Sequence, residues 1–184
     1  MSTVQQFAWS SRILHWVMAA MLLAMLFIGV AMVASLADYQ VLVAIHRPLG
    51  ILILVFAAVR FVNRQLQSFP PFPDTMSRAE RFAAEWSERL LYALMFALPL
   101  IGWGMLSAAR YPIVLYGPIH LPPILPVSSA LYSVLRRAHT VLAYVLFFTF
   151  MAHLSAVLFH TLVMLAERGL EPSTVLEVLR ERRS

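Results

Sequence analysis

The 184 residues contain no cysteine. That excludes disulfides, iron–sulfur clusters held by thiolates and any cofactor attached through a C-x-x-C-H motif. Lysine is absent too, so all 14 basic residues are arginine. Charge of either sign is scarce: 12% of residues are charged against 61% hydrophobic, a balance well outside the range of soluble globular proteins. The net charge of +5 is spread along the chain rather than gathered in a patch, which gives nucleic-acid binding no support.

What the chain has instead is apolar length. Four runs, Ile13 to Ala34, Val41 to Val59, Leu90 to Ala108 and Ala138 to Ala166, each come close to the roughly 20 residues that cross a hydrocarbon core about 30 Å thick. A span in lipid must satisfy its own backbone polar groups, so the expectation is all-α: an integral-membrane, up-down four-helix bundle forming a single domain over residues 1–184. The first run follows Arg12, and "VASLAD" loosely resembles a signal cleavage site. It exceeds the usual signal core, however, and reads as a retained span. Arginine sets the orientation. Arg47, Arg110, Arg136 and Arg137 fall at one end of the bundle and all the other arginines at the end holding the termini and the central link. By the positive-inside rule both termini are expected to be cytoplasmic.

The connections carry their own signals. In the link from Gln65 to Arg89, "FPPFPDT" is extended, and Ser77 with Glu80 fits a capping box that starts the third helix before it enters lipid. The link from Arg110 to Val134 holds Pro112, Pro118, Pro122, Pro123 and Pro126 among aliphatic and aromatic residues, which predicts a stiff outer flap over an apolar surface. The tail "EPSTVLEVLRERRS" reads as a short amphipathic helix at the cytoplasmic interface. Gly102 and Gly104, with Pro99, suit close packing of helix three.

Histidine is the residue type that this composition does not explain. An ionisable group inside a span is costly enough to indicate a function, and four histidines qualify: His15, His46, His139 and His153. In an up-down bundle His15 lies toward the cytoplasm, and His46 and His139 lie toward the outside. His153 follows His139 by 14 residues, about 21 Å deeper and within about 40° of the same helix face. The result is two pairs: His46 with His139 outside, and His15 with His153 inside. Facing neutral imidazoles in a dry bundle suit the two axial positions of a haem iron. Without cysteine, such a haem is non-covalent. A single histidine near a helix end is more often an interfacial residue, but two matched pairs are not explained that way. A zinc or proton path would recruit carboxylates or thiolates, and the four runs contain neither.

The same spacing carries Arg60, 14 residues after His46, to the level of the inner pair, where it would meet a haem propionate or else snorkel to the edge. Outside, Arg47, Arg136 and Arg137 crowd the ligands, with Asp38 as the acidic residue of that face. One or two of them would pair with propionates, and the rest leave a positive rim. His160 lies about 10 Å beyond His153. It is read either as a quinone contact or as a headgroup-level residue, and His120 as a surface residue of the flap.

Together "LHWV" (14–17), "IHRPLGILIL" (45–54), "LLYALMFALPLIGW" (90–103), "YPIVLYGPIHLPPIL" (111–125) and "AHTVLAYVLFFTFMAHLSAVLFH" (138–160) resemble the prokaryotic cytochrome b561 family over about residues 7 to 165. The resemblance implies a four-helix membrane cytochrome with two b-type haems, their ligands at His15, His46, His139 and His153. It also implies electron exchange with ubiquinone and, in the superoxide oxidase branch, oxidation of superoxide at the outer face, with His160 at the position that branch places near quinone. Glu88 departs from the pattern, since many members have a histidine at the start of the third span.

The leading expectation is therefore a superoxide:ubiquinone oxidoreductase. Arg47, Arg136 and Arg137 would draw in the anion, and quinone would lie near His160, Trp9 or Trp16. One alternative is a membrane anchor and electron conduit for a separate periplasmic redox partner. Another is a non-redox, histidine-lined metal transporter.

Overall fold

A computed structural model of the protein describes residues 9–67 and 76–167. Its elements are α1 (Trp9–Ala34), α2 (Tyr39–Gln65), α3 (Arg78–Ala108), a two-stranded hairpin of β1 (Ile113–Tyr116) and β2 (Ile119–Leu121), and α4 (Ser129–Glu167). All four helices are long and apolar enough to cross a membrane. The fold class is all-α with four membrane-spanning helices. "FPPFPDT" and the C-terminal tail lie outside the described residues.

The chain divides into two compact units, Met1–Phe147 and Phe148–Ser184. The first holds α1 to α3, the hairpin and the leading part of α4; the second continues α4. In the first unit the buried residues recur at helical spacing, Met18 with Leu22 on α1 and Ile53 with Ala57 on α2, while α3 contributes Tyr92, Leu94, Met95, Leu98, Leu106 and Ala108. Phe27, Val30, Leu52, Val55 and Val141 are exposed, as expected of surfaces that meet lipid.

Lipid tails are as apolar as leucine, so burial alone does not hold such helices together, and polar contacts and close backbone approach do more of it. The start of α1 is tied to the end of α2 through a shared network. Asn63 donates to Ser11 Oγ at 2.8 Å, Ser11 Oγ to Gln67 Oε1 at 2.8 Å, and Gln67 Nε2 to Asn63 Oδ1 at 2.9 Å. Arg64 of α2 forms an ion pair with Glu88 of α3, which gives the departure at Glu88 a structural use. The expected capping box is present, with Glu80 N–H donating to Ser77 Oγ at 3.2 Å and Ser77 N–H to Glu80 Oε2 at 2.7 Å.

Two features add to the reading of the outer link. Residues 113–121 form an antiparallel hairpin that pairs Ile113 with Leu121 and Val114 with His120 and turns at Gly117, where φ is +51°. And α4 begins at Ser129 rather than after Val134, because Ser128 caps it by accepting from Leu131 N–H at 3.2 Å. The link is fastened to α3 along its length. Trp103 Nε1 donates to the Pro122 carbonyl at 2.9 Å, Ile124 N–H to Ser107 Oγ at 3.2 Å, and Ser128 N–H to the Ala108 carbonyl at 3.0 Å. Leu125 lies over Gly104, where a Cβ would meet its methyl at 2.8 Å.

α3 ends in a Schellman motif. Tyr111 N–H reaches the Leu106 carbonyl at 3.0 Å and Arg110 N–H the Ser107 carbonyl at 3.1 Å. The left-handed residue is Arg110, φ +60°, where glycine is usual.

Candidate functional site

α2 and α4 bring His46 and His139 together. The ring centroids are 6.3 Å apart and the rings are inclined by 65°. Both side chains are half-buried, the Nδ1 of each is closed to solvent, and the His139 ring lies against the Leu98 backbone.

α3 supplies the room. A Cβ at Gly102 would sit 3.4 Å from His139 Cε1 and 3.6 Å from its Nδ1, so the absent side chain is what lets the ring lie against the helix. On α2, Pro48 stands two residues after His46 inside the helix. It lacks an N–H and leaves one carbonyl of the preceding turn without its helical donor.

The pair fits a bis-imidazole haem site. With ring centroids 6.3 Å apart, His46 and His139 would hold a haem iron between them, and it would supply one-electron chemistry there. That separation also lies within the range of an ordinary edge-to-face contact. Two half-buried imidazoles facing each other on apolar membrane helices favour the metal reading, since ionisable groups there are costly without a function. Among the described residues no group of three or more His, Asp or Glu side chains converges, as a zinc cage would require.

Toward the other end of α2 the spacing argument places Arg60 beside His15, and the structure joins them directly. Arg60 Nη1 lies 2.6 Å from His15 Nδ1, while Arg60 Nε donates to Tyr92 Oη at 2.9 Å. A guanidinium stays protonated, so His15 Nδ1 is the acceptor here and the ring proton sits on Nε2. Binding a metal through Nε2 needs the opposite tautomer. Arg60 would have to leave Nδ1, and its guanidinium would then be free for an anion. His153 lies half-buried on α4 in the second unit, and its pairing with His15 belongs to the proposal below. His160 lies on α4 with its side chain outside the described residues. His120 is exposed, its Nδ1 2.7 Å from the Pro118 carbonyl.

The arginines near the outer pair differ in setting. Arg136 and Arg137 are exposed. Arg136 Nη1 donates to Tyr132 Oη at 2.8 Å. Arg47 is half-buried, and its Nε is closed to solvent without a hydrogen-bond partner among the described residues. Sequence spacing did not anticipate the roles of Trp103, Ser107 and Ser128 in fastening the flap. The cue was an indole and hydroxyls at the outer end of an otherwise apolar helix and just before the next.

The comparisons with known proteins agree with this geometry. The model of the family described as prokaryotic cytochrome b561 matches residues 6–167. Cytochrome b561 homolog 2 of Escherichia coli (strain K12) is 29% identical over 133 residues, covering 70% of each chain. With four spanning helices, a facing imidazole pair and a family match along most of its length, the chain belongs to the prokaryotic cytochrome b561 family, as a multi-pass membrane protein of electron transfer.

Proposed function

We propose that this cytochrome carries two haem b groups, one between His46 and His139 and one between His15 and His153, and that it oxidises superoxide at the periplasmic face of the inner membrane and reduces ubiquinone. The observation that carries the reading is the His46–His139 pair, half-buried on facing helices with 6.3 Å between ring centres. Haem iron held by two imidazoles supplies one-electron exchange and leaves no open position for dioxygen.

The chain's own residues do the rest. Arg47, Arg136 and Arg137 make the outer end positive, and Arg136 and Arg137 are exposed where an incoming anion first meets the protein. Each superoxide that gives up an electron leaves as dioxygen. Two superoxide anions supply the two electrons that, with two protons, convert one ubiquinone to ubiquinol. Arg60, once off His15 Nδ1, neutralises a carboxylate beside the inner histidines. Quinone takes its electrons at the opposite end, near His160, Trp9 or Trp16, of which the two tryptophans are 76% and 70% exposed.

The test is a haem count on the purified chain beside superoxide-driven ubiquinone reduction. Two haems per chain are expected, falling to one in His153→Ala, with a rate that declines as salt screens the arginines. A parent without b-type absorption sinks the reading. A rate indifferent to salt removes the arginines as the entry site.

A second reading is favoured by the flap, whose Tyr111, Val114, Ile119, Ile124 and Val127 are exposed on a hairpin and link fastened to α3. Here the flap docks a periplasmic redox partner and the chain is its conduit to the quinone pool. Slow superoxide oxidation beside fast exchange with that partner would select it.

A further inference from the structure

Arg47, Arg110, Arg136 and Arg137 occupy the outer end by sequence, but one of them is set apart by its surroundings. Arg110, Arg136 and Arg137 are exposed, and Arg136 already has the Tyr132 hydroxyl. Arg47 is half-buried, with Nε out of solvent and no hydrogen-bond partner among the described residues. No described carboxylate supplies one. Asp38 is exposed and accepts from Ser35 Oγ at 2.8 Å. Glu80, Glu85 and Glu88 lie in the early turns of α3, and Glu167 ends α4. A guanidinium does not escape burial by losing its proton, so an anion brought to this end would meet at Arg47 a charge that no described carboxylate neutralises.

Two anions are candidates at this end, a small one arriving from solution or a carboxylate that enters with the cofactor. An atom closed to solvent is poorly placed to meet a transient visitor. It is well placed to meet a group installed once, at assembly. Arg47 also directly follows His46, so whatever His46 holds lies within reach of a long side chain one residue away.

We propose that Arg47 holds a propionate carboxylate of the haem at His46 and His139, leaving Arg136 and Arg137 as the exposed rim that meets the substrate anion. The inference rests on the haem reading above and adds a division of labour among the arginines: Arg47 binds cofactor and does not steer substrate.

The test compares haem with haem dimethyl ester, which lacks both carboxylates, in the full chain bearing His153→Ala, so that the outer site is read by itself. With Arg47 present, haem should bind about tenfold tighter than the diester, as expected for one charge-assisted hydrogen-bonded pair. Adding Arg47→Gln should erase that preference, and Arg47→Lys, which keeps the charge, should restore part of it. Such a cycle isolates the pair from general effects of the substitution. Equal binding of haem and diester with Arg47 present overturns the inference without any Arg47 variant. So does a preference that survives Arg47→Gln, or an Arg47→Gln chain whose only change is a weaker salt dependence of superoxide oxidation. A parent chain that binds no haem would instead sink the underlying reading.

Discussion

Gly102 offers the sharpest test of the outer histidine pair, because it faces His139 from a third helix and carries no chemistry of its own. An added Cβ would lie 3.4 Å from His139 Cε1 and 3.6 Å from Nδ1. Those are ordinary contact distances, so Gly102→Ala should leave the ring where it is, and the helix should gain about 0.5–1 kcal/mol from losing a glycine. Gly102→Leu is different. Its Cγ and two Cδ atoms extend from a Cβ already touching the ring, so His139 would shift by about 1 Å or more, whereas a metal–nitrogen distance tolerates only about 0.2 Å. Overpacking of this kind costs about 1–3 kcal/mol, which at about 1.4 kcal/mol per factor of ten is roughly a 5- to 150-fold loss of occupancy at the outer site.

The assay is haem per chain and the reduced-minus-oxidised spectrum of the purified protein, with far-ultraviolet circular dichroism to confirm that the helices remain. The alanine chain should match the parent and the leucine chain should keep only the inner haem. A leucine chain with full stoichiometry and an unchanged spectrum would refute the assignment of His139 as a ligand pressed against α3.

Three further outcomes follow from local geometry. Arg110→Gly should raise stability by up to about 1 kcal/mol, measured by thermal unfolding in detergent, because glycine accepts the left-handed cap that Arg110 holds at φ +60°. Ser77→Ala should destabilise the start of α3 by about 1 kcal/mol, since it removes the side-chain half of the capping box, and hydrogen exchange over the first turns of α3 should quicken. Trp103→Phe should forfeit about 0.5–1.5 kcal/mol by deleting the donor to the Pro122 carbonyl. It should speed proteolysis of the 119–126 segment while the haem count stays at the parent value.

The helices and the outer pair were legible because each rests on a one-dimensional signal. Apolar length fixed the number of spans, and a 14-residue repeat on a helix returns nearly to the same face. That is why Arg60 reaches His15. What spacing could not convey was which partner an arginine would find. Residue counting placed Arg60 at the level of the inner pair, at a propionate or snorkelling to the edge, and gave no sign of its hydrogen bonds to Tyr92 and to His15 itself. Arg47, grouped by position with Arg136 and Arg137, proved half-buried, with its Nε closed to solvent, where they are exposed. Burial of a side chain is decided by neighbours from other helices, and no count along one helix contains them.

The flap shows the same limit at the level of the backbone. Its prolines correctly announced a stiff connection, but prolines alone do not say what a segment stiffens against. Residues 113–121 are too few for a stable hairpin of their own, since two strands in isolation are marginal at best. This hairpin lies in a link fixed by an indole, a hydroxyl and a glycine of α3, with Trp103, Ser107 and Gly104 receiving Pro122, Ile124 and Leu125 in turn. The same helix accommodates His139 at Gly102. One turn of α3 therefore sets both the position of an imidazole and the seat of the segment above it, which is why a change at Gly102 should be read at the metal and a change at Trp103 in the flap.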